Sequence, residues 1–199
     1  MCDYNEAYFT SGNYEDYMQK YDRYLKMVTE IDDLFSRVCL RDRTQLVLDF
    51  GCAVGHVVRA HRDLGYTRVI GYDISQWAVD KGNLLIRDEV LYTNQSVLSS
   101  RAHVTFMLDV LEHMTDEDVN HCISWLRTEY IIIRMPVTDT YGGELLLPSS
   151  RRDKTHINVK TKSGWLKVFS DYGYEPLFKL NLFSIWDSDG VLAVVLKKV

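Results

Sequence analysis

The chain has 199 residues, 46% of them hydrophobic and 26% charged, which suits one domain with a real core and an ordinary soluble globule. Its net charge of −5 disfavours a broad phosphate-binding face, so nucleic acid is not the expected partner. No apolar run is long enough to span a membrane and Met1 is not followed by a signal peptide, so the expectation is a cytoplasmic protein.

Apolar side chains at Tyr14, Tyr17, Met18, Tyr21, Leu25, Val28, Ile31, Leu34, Phe35 and Val38 recur in steps of three and four. That spacing predicts a long helix, broken at most once, with one buried face. Before it, Tyr4, Tyr8, Phe9 and Gly12 form an aromatic, irregular lead-in, part of a chain with 13 tyrosines. Leu46 to Phe50 reads as the first strand, and Val57 to Leu64 as a helix closed by Gly65. Arg68 to Tyr72 is the second strand, and Ser75 caps a helix running to about Ile86. Val90 to Thr93 and Val104 to Leu108 are the third and fourth strands. Thr115-Asp116-Glu117-Asp118 is a capping-box match ahead of Val119, Cys122, Ile123 and Leu126.

Tyr130 to Met135 is a β-prone fifth strand stopped by Pro136, and residues 137 to 160 are polar and irregular. Trp165, Leu166, Phe169 and Tyr172 mark a last helix stopped by Gly173. Pro176 to Phe183 and Val191 to Lys197, joined by Asp187-Ser188-Asp189-Gly190, read as a closing antiparallel hairpin. Strand and helix alternate up to the fifth strand, so the expected fold is α/β. It is a Rossmann-like, mostly parallel, seven-stranded sheet with helices on both faces and an antiparallel C-terminal edge hairpin. Residues 1–199 are expected to form a single domain, with 1–40 an N-terminal helical cap and 41–199 the core.

Cys2, Cys39, Cys52 and Cys122 show no Cys-x-x-Cys spacing, and no cluster of acids marks a metal site, so no metal is expected. Arg151-Arg152-Asp153-Lys154 and Lys160-Thr161-Lys162 gather positive charge that could meet an anionic group, although a solvated loop explains them as well.

Two acids end neighbouring strands: Asp49 before the turn Gly51-Cys52-Ala53-Val54-Gly55, and Asp73 after Val69-Ile70-Gly71-Tyr72. Two strands ending in carboxylates and joined by a helix make a βαβ unit able to hold a nucleoside. A dinucleotide fold wants G-x-G-x-x-G, but His56 occupies the place of the last glycine. The shorter turn fits a ligand without phosphates and argues against a nicotinamide-dependent dehydrogenase. Asp73 is placed to accept both hydroxyls of a ribose. Asp49 could orient backbone N–H groups or meet an ammonium; alternatively, each acid caps its strand or the next helix.

These residues resemble the class I S-adenosylmethionine-dependent methyltransferases. Val47-Leu48-Asp49-Phe50-Gly51-Cys52-Ala53-Val54-Gly55 is similar to the family's first motif, and Asp73 falls where its ribose-binding acid lies. Leu108-Asp109-Val110-Leu111-Glu112-His113 matches the D-V-L-E-H segment of many small-molecule members. Asp153-Lys154-Thr155-His156-Ile157-Asn158 is similar to the region before their sixth strand, and the Tyr8-Phe9 to Tyr17 lead-in resembles the cap of some. Ala53 replaces the usual middle glycine, and Asn94-Gln95-Ser96 stand where an adenine-binding acid is common.

The resemblance implies S-adenosylmethionine as cofactor, held by Asp49, Gly51, Cys52, Ala53, Gly55, Asp73, Ile74, Gln95, Ser96, Asp109, Val110 and Tyr14. Its methyl is already a strong electrophile, so alignment and exclusion of water are the protein's main tasks. His113, with an unshifted pKa near neutrality, is the first candidate for a base or substrate contact; Glu112 and His156 are the others. The acceptor is expected to be a hydroxyl or amine of a small molecule. The competing expectation is a catalytically silent binder of the same nucleoside, acting as a partner subunit. The sequence leaves the oligomeric state open.

Overall fold

The computed structural model describes residues 4–38 and 42–199. The strands are β1 Val47–Phe50, β2 Val69–Tyr72, β3 Leu91–Tyr92, β4 Val104–Leu108, β5 Tyr130–Pro136, β6 Tyr174–Lys179 and β7 Val191–Lys198. The helices are α1 Glu6–Thr10, α2 Tyr21–Val38, α3 His56–Asp63, α4 Gln76–Ile86, α5 Asp116–Trp125, α6 Pro148–Arg151 and α7 Lys162–Ser170. The seven strands follow the order β3-β2-β1-β4-β5-β7-β6. This is the expected mostly parallel α/β sheet. Two compact units divide the chain: the first runs to Val97 and takes in Leu182–Ser184, and the second comprises Leu98–Asn181 and Ile185–Val199.

In the first unit, β1 and β2 pair in parallel, with Val47 opposite Val69 and Phe50 opposite Tyr72. That register sets Asp49 opposite Gly71 and brings Asp73, one residue past β2, to the same C-terminal end. A short strand β3 pairs with β2 through Leu91 and Tyr92. Ser75 caps α4 by accepting a hydrogen bond from the Ala78 N–H at 3.1 Å. The helix predicted over residues 14 to 38 is interrupted: 3-10 turns occupy Gly12–Tyr14 and Tyr17–Gln19, and the α-helix starts at Tyr21. Its buried face carries Met27, Val28, Ile31 and Phe35, and Val38 is exposed at the end. Asp32 is buried among them because it accepts a hydrogen bond from the Tyr66 hydroxyl at 2.7 Å. The aromatic lead-in is not wholly irregular, since Asn5 caps α1 through the Ala7 and Tyr8 N–H groups.

In the second unit, β4 and β5 are parallel, and β7 runs antiparallel between β5 and β6. The hairpin thus supplies the sheet edge with β6, while β7 lies inside. Ile131, Ile132 and Ile133 are all fully buried, as a strand covered on both faces requires. The predicted stop at Pro136 comes one residue late. Pro136 closes β5 opposite Val191, because a strand end tolerates a residue without an N–H. The capping box holds: the Thr115 hydroxyl accepts the Asp118 N–H at 3.1 Å. The last helix begins earlier than its apolar spacing suggested, capped by Thr161 through the Gly164 N–H at 3.0 Å. The stretch read as irregular from 137 to 160 contains α6, started by Pro148 at its first turn.

Candidate functional site

The β1–α3 turn is tied to the end of β2. The Gly51 and Cys52 N–H groups donate to the Tyr72 carbonyl at 2.8 and 3.0 Å. Asp73 then uses both carboxylate oxygens on backbone: Oδ2 accepts from Ala53 N–H at 2.8 Å and Oδ1 from Ser75 N–H at 2.9 Å. One acid therefore braces the turn and caps the entry to α4. It is Asp73, not Asp49, that orients turn N–H groups in this way. Gly51, Ala53 and Gly55 all take positive φ, at 76°, 47° and 76°. Two of the three are glycines, whereas Ala53 holds that conformation with a side chain.

Asp49 and Asp73 are 3% and 8% exposed, and neither makes an ion pair among the described residues. Burial, with the Asp73 charge adding to it, pushes the Asp49 carboxyl up to about 8. Burial also raises Asp73, and the backbone N–H groups of Ser75 and Ala53 oppose the rise. Ile74, the next residue, is 63% exposed despite its apolar side chain. Gln95 and Ser96 lie exposed at the start of the 3-10 turn Gln95–Ser99 after β3.

The N-terminal aromatic residues settle on this turn. Phe9, Tyr17, Ala53, Val54 and Ala78 form a buried cluster, with Tyr4, Tyr8, Tyr14 and Trp77 packed against it. Tyr8 donates to the Tyr14 hydroxyl at 3.1 Å, and Phe9 stacks on Trp77 with centroids 5.6 Å apart. The Ser75 hydroxyl donates to the Tyr4 carbonyl. His56, which breaks the dinucleotide fingerprint, is buried with Nε2 3.0 Å from the Tyr17 carbonyl oxygen. Its ring lies against Tyr17 and Tyr24. Tyr14 thus joins the residues around the turn, and His56 anchors the segment that carries it.

The second unit holds the other group of expected residues. Glu112, His113 and His156 each offer a donor atom within 4.8 Å of the other two. The 3-10 turn Leu111–His113 carries the first two, and the Asn158 N–H donates to the Glu112 carbonyl at 2.9 Å, which draws the 153–158 segment alongside. The rings of His113 and His156 meet edge to face, centroids 4.7 Å apart. Sequence reasoning missed the residues that aim them. Thr155 donates its hydroxyl proton to Asp153 Oδ1 at 2.6 Å and lies 2.7 Å from His113 Nδ1. Its hydroxyl oxygen must therefore accept from an Nδ1–H. His156 Nδ1 lies 2.9 Å from the Ser150 carbonyl, which can only accept, so that nitrogen also carries its proton. The visible signal was Asp153-Lys154-Thr155, a side-chain-to-backbone turn pattern directly before His156.

Burial, then the neighbouring His156, pulls His113 down to about 4, so its pKa is not the near-neutral one expected. Burial and the Asp109 charge push Glu112 well above the usual carboxylate range, against the pull of Arg134. Asp109 itself, with φ of 52°, is ion-paired by the Arg134 guanidinium through both carboxylate oxygens; Val110, half-buried, opens the turn carrying Glu112.

The basic stretch is largely engaged. Arg151 lies 3.4 Å from Glu144, Lys160 lies 2.6 Å from Asp116, and Lys162 pairs with Asp187. Internal ion pairs, rather than an anionic ligand, explain those three charges. Cys52 and Cys122 are buried free thiols, and Cys2 and Cys39 lie outside the described residues.

The sequence profile of a methyltransferase-domain family matches residues 18–177. No curated protein matches the chain. Among solved structures, magnesium protoporphyrin IX methyltransferase from Synechocystis PCC 6803 with bound SAH is similar, at TM-score 0.65 and 17% identity over 96% of this chain and 97% of that one. A SAM-dependent methyltransferase from Archaeoglobus fulgidus is similar at TM-score 0.63 and 16% identity, over 94% of this chain and 100% of the other. At such identities the likeness shows the fold.

Proposed function

We propose, from the premise that this chain belongs to the methyltransferase-domain family, that its methyl acceptor is a hydroxyl or amine of a small molecule. The chain is an S-adenosylmethionine-dependent methyltransferase. The observation that carries the cofactor site is the buried pair Asp49 and Asp73 on either side of a small-residue turn. Two carboxylates withdrawn from water without an ion pair among the described residues suit a ligand that brings positive charge and a diol. S-adenosylmethionine has both, and when bound it supplies an electrophilic methyl group.

The chain's own residues then have separable roles. Asp73 has lone pairs left beyond its two backbone bonds and accepts the ribose hydroxyls while keeping the turn in place. Asp49, which by itself keeps its proton below about pH 8, releases it when the cationic part of the ligand arrives and then pairs with that charge. Gly51, Cys52, Ala53 and Gly55 let the backbone approach, Ile74 presents an exposed apolar surface to a base, and Gln95 and Ser96 offer neutral polar groups. Tyr14, with Tyr8, screens the turn from water. Asp109 and Val110 fix the turn that carries Glu112 and His113. We assign the handling of the acceptor to Glu112, His113 and His156. Held neutral by burial, His113 binds and orients an acceptor group better than it stores a proton. The net charge of −5 supports a small acceptor over a polyanion. No described helix is long and apolar enough to cross a membrane.

Calorimetry with S-adenosylhomocysteine and NAD in parallel tests the cofactor. The expected result is binding of the first alone, weakened at least tenfold in Asp73→Ala. Binding of NAD alone would overturn it. Formation of S-adenosylhomocysteine with a hydroxyl- or amine-bearing metabolite tests the acceptor; methyl transfer to protein or RNA but to no metabolite would overturn the small-molecule assignment.

A further inference from the structure

We propose that Glu112, His113 and His156 bind a divalent first-row transition metal ion, such as Mn²⁺, Fe²⁺, Co²⁺ or Zn²⁺. The inference deepens the reading of this cluster as the acceptor-handling group, but its existence depends only on geometry within the second unit.

Glu112 is the first argument. The residue is 0% exposed, and neither oxygen of its carboxylate has a hydrogen-bond partner among the described residues. A buried carboxyl group with neither oxygen hydrogen-bonded, charged or neutral, is costly and rare unless something else meets it. His156 Nε2 lies 4.0 Å from Oε1. That separation is too long for a hydrogen bond. It is somewhat wider than the roughly 3.4 Å between two tetrahedral ligands held about 2.1 Å from one ion, so an ion between them would draw the two side chains together.

The second argument is the state of the two imidazoles. Thr155 and the Ser150 carbonyl place the proton of each ring on Nδ1. Coordination by either ring therefore runs through Nε2 in its neutral, lone-pair form. A metal-binding histidine almost always donates its other N–H to a carbonyl, carboxylate or similar group, and both rings do so here. Asp153 completes the arrangement: it holds the Thr155 hydroxyl, and its other oxygen lies 3.8 Å from His156 Nε2. Its negative charge also helps to balance a cation.

Two imidazoles and one carboxylate favour borderline transition ions over Mg²⁺ or Ca²⁺, which prefer oxygen donors throughout. Three protein ligands also leave coordination positions for an oxygen or nitrogen donor from outside. The linear spacing hid this site, because Glu112-His113 and His156 come from segments 43 residues apart in numbering.

The test uses the full chain, stripped with a chelator and titrated with Co²⁺ by visible absorption, then displaced by Zn²⁺. One Co²⁺ per chain is expected, with affinity lowered at least a hundredfold in Glu112→Gln and in His156→Gln. His121→Gln, on the exposed surface of α5, should leave binding unchanged and so controls for adventitious histidine binding. No uptake by the natural chain, or equal affinity in the two site variants, would overturn the proposal. Should either variant fail to fold, NMR of ¹⁵N-histidine in the natural chain decides the matter. Zn²⁺ should shift the Nε2 signals of His113 and His156, and unchanged signals would overturn it. S-adenosylhomocysteine binding, measured on metal-free protein, reports on the methyltransferase reading alone, so the two can fail separately.

Discussion

Asp49 and Asp73 end adjacent parallel strands, yet their surroundings differ. Asp73 is braced by two backbone donors, and Asp49 carries a pKa raised to about 8 by burial and by its neighbour. A carboxyl raised on folding keeps a proton that the unfolded chain has already released above the ordinary carboxylate range. Its contribution is therefore complete below that range and is lost as pH climbs through the folded value of about 8. Within that window the slope attributable to one such group is about 1.4 kcal/mol per pH unit. Urea unfolding at pH 5.5 and 7.5 should show stability falling less steeply in Asp49→Asn than in the natural chain; equal slopes would show that Asp49 is already ionised. Ala53 poses a separate question, because its φ is 47° and its methyl group is buried against Phe9 and Tyr17. Relief of left-handed strain in Ala53→Gly, about 1–2 kcal/mol, is offset by the lost burial of one methyl, about 0.8 kcal/mol, and by added chain entropy. Thermal unfolding should place that variant within about 1 kcal/mol of the natural chain, whereas Ala53→Val, branched at Cβ, should cost more than about 2 kcal/mol.

At the scale of elements, helix starts join the local code to the site. Thr161 caps α7 and Ser75 caps α4, each through one side-chain acceptor. Loss of such a cap costs about 1 kcal/mol. Ser75 carries a second bond, since its hydroxyl donates to the Tyr4 carbonyl and ties the aromatic lead-in to the α4 entry. Ser75→Ala should therefore destabilise more than Thr161→Ala in denaturant melts, and it should also raise the proteolytic sensitivity of the N-terminal segment. Equal costs would mean that the Tyr4 tether is worth nothing. The break between Tyr14 and Tyr21 has the same origin. The Tyr17 carbonyl is shared between the Lys20 N–H of a 3-10 turn and the His56 ring, whereas a continuous α-helix would have paired it with the N–H four residues on.

For the whole molecule, strand order decides which parts are expendable. Strand β7 sits between β5 and β6 and pairs with β5 over seven positions from Tyr130 to Pro136. A chain ended at Gly190 loses that whole ladder, including the strand beside Ile131, Ile132 and Ile133. Circular dichroism and NMR should show the second unit unfolded, and retained dispersion from β4 and β5 would contradict this. Most of the architecture was already legible: β4 was placed to the residue, and β1, β2, α3, α4 and α5 within one or two. Those elements carry strong periodicity and local caps, which act over a few residues. The helix α6 escaped because one turn behind Pro148 is too short to show a period.

The site divides along the same line. Local residue order was enough to find the acids at Asp49 and Asp73, the small-residue turn, and the candidacy of Glu112, His113 and His156, because chemistry-bearing residues at strand ends stand out in one dimension. Only the folded chain decided that Asp73 braces the turn, that His113 is held neutral, and that Thr155, Ser150 and Asp153 aim two imidazoles beside a buried carboxyl group without a hydrogen-bond partner among the described residues. Hydrogen-bond partners and desolvation depend on which distant segments share a volume, and residue order does not carry that information.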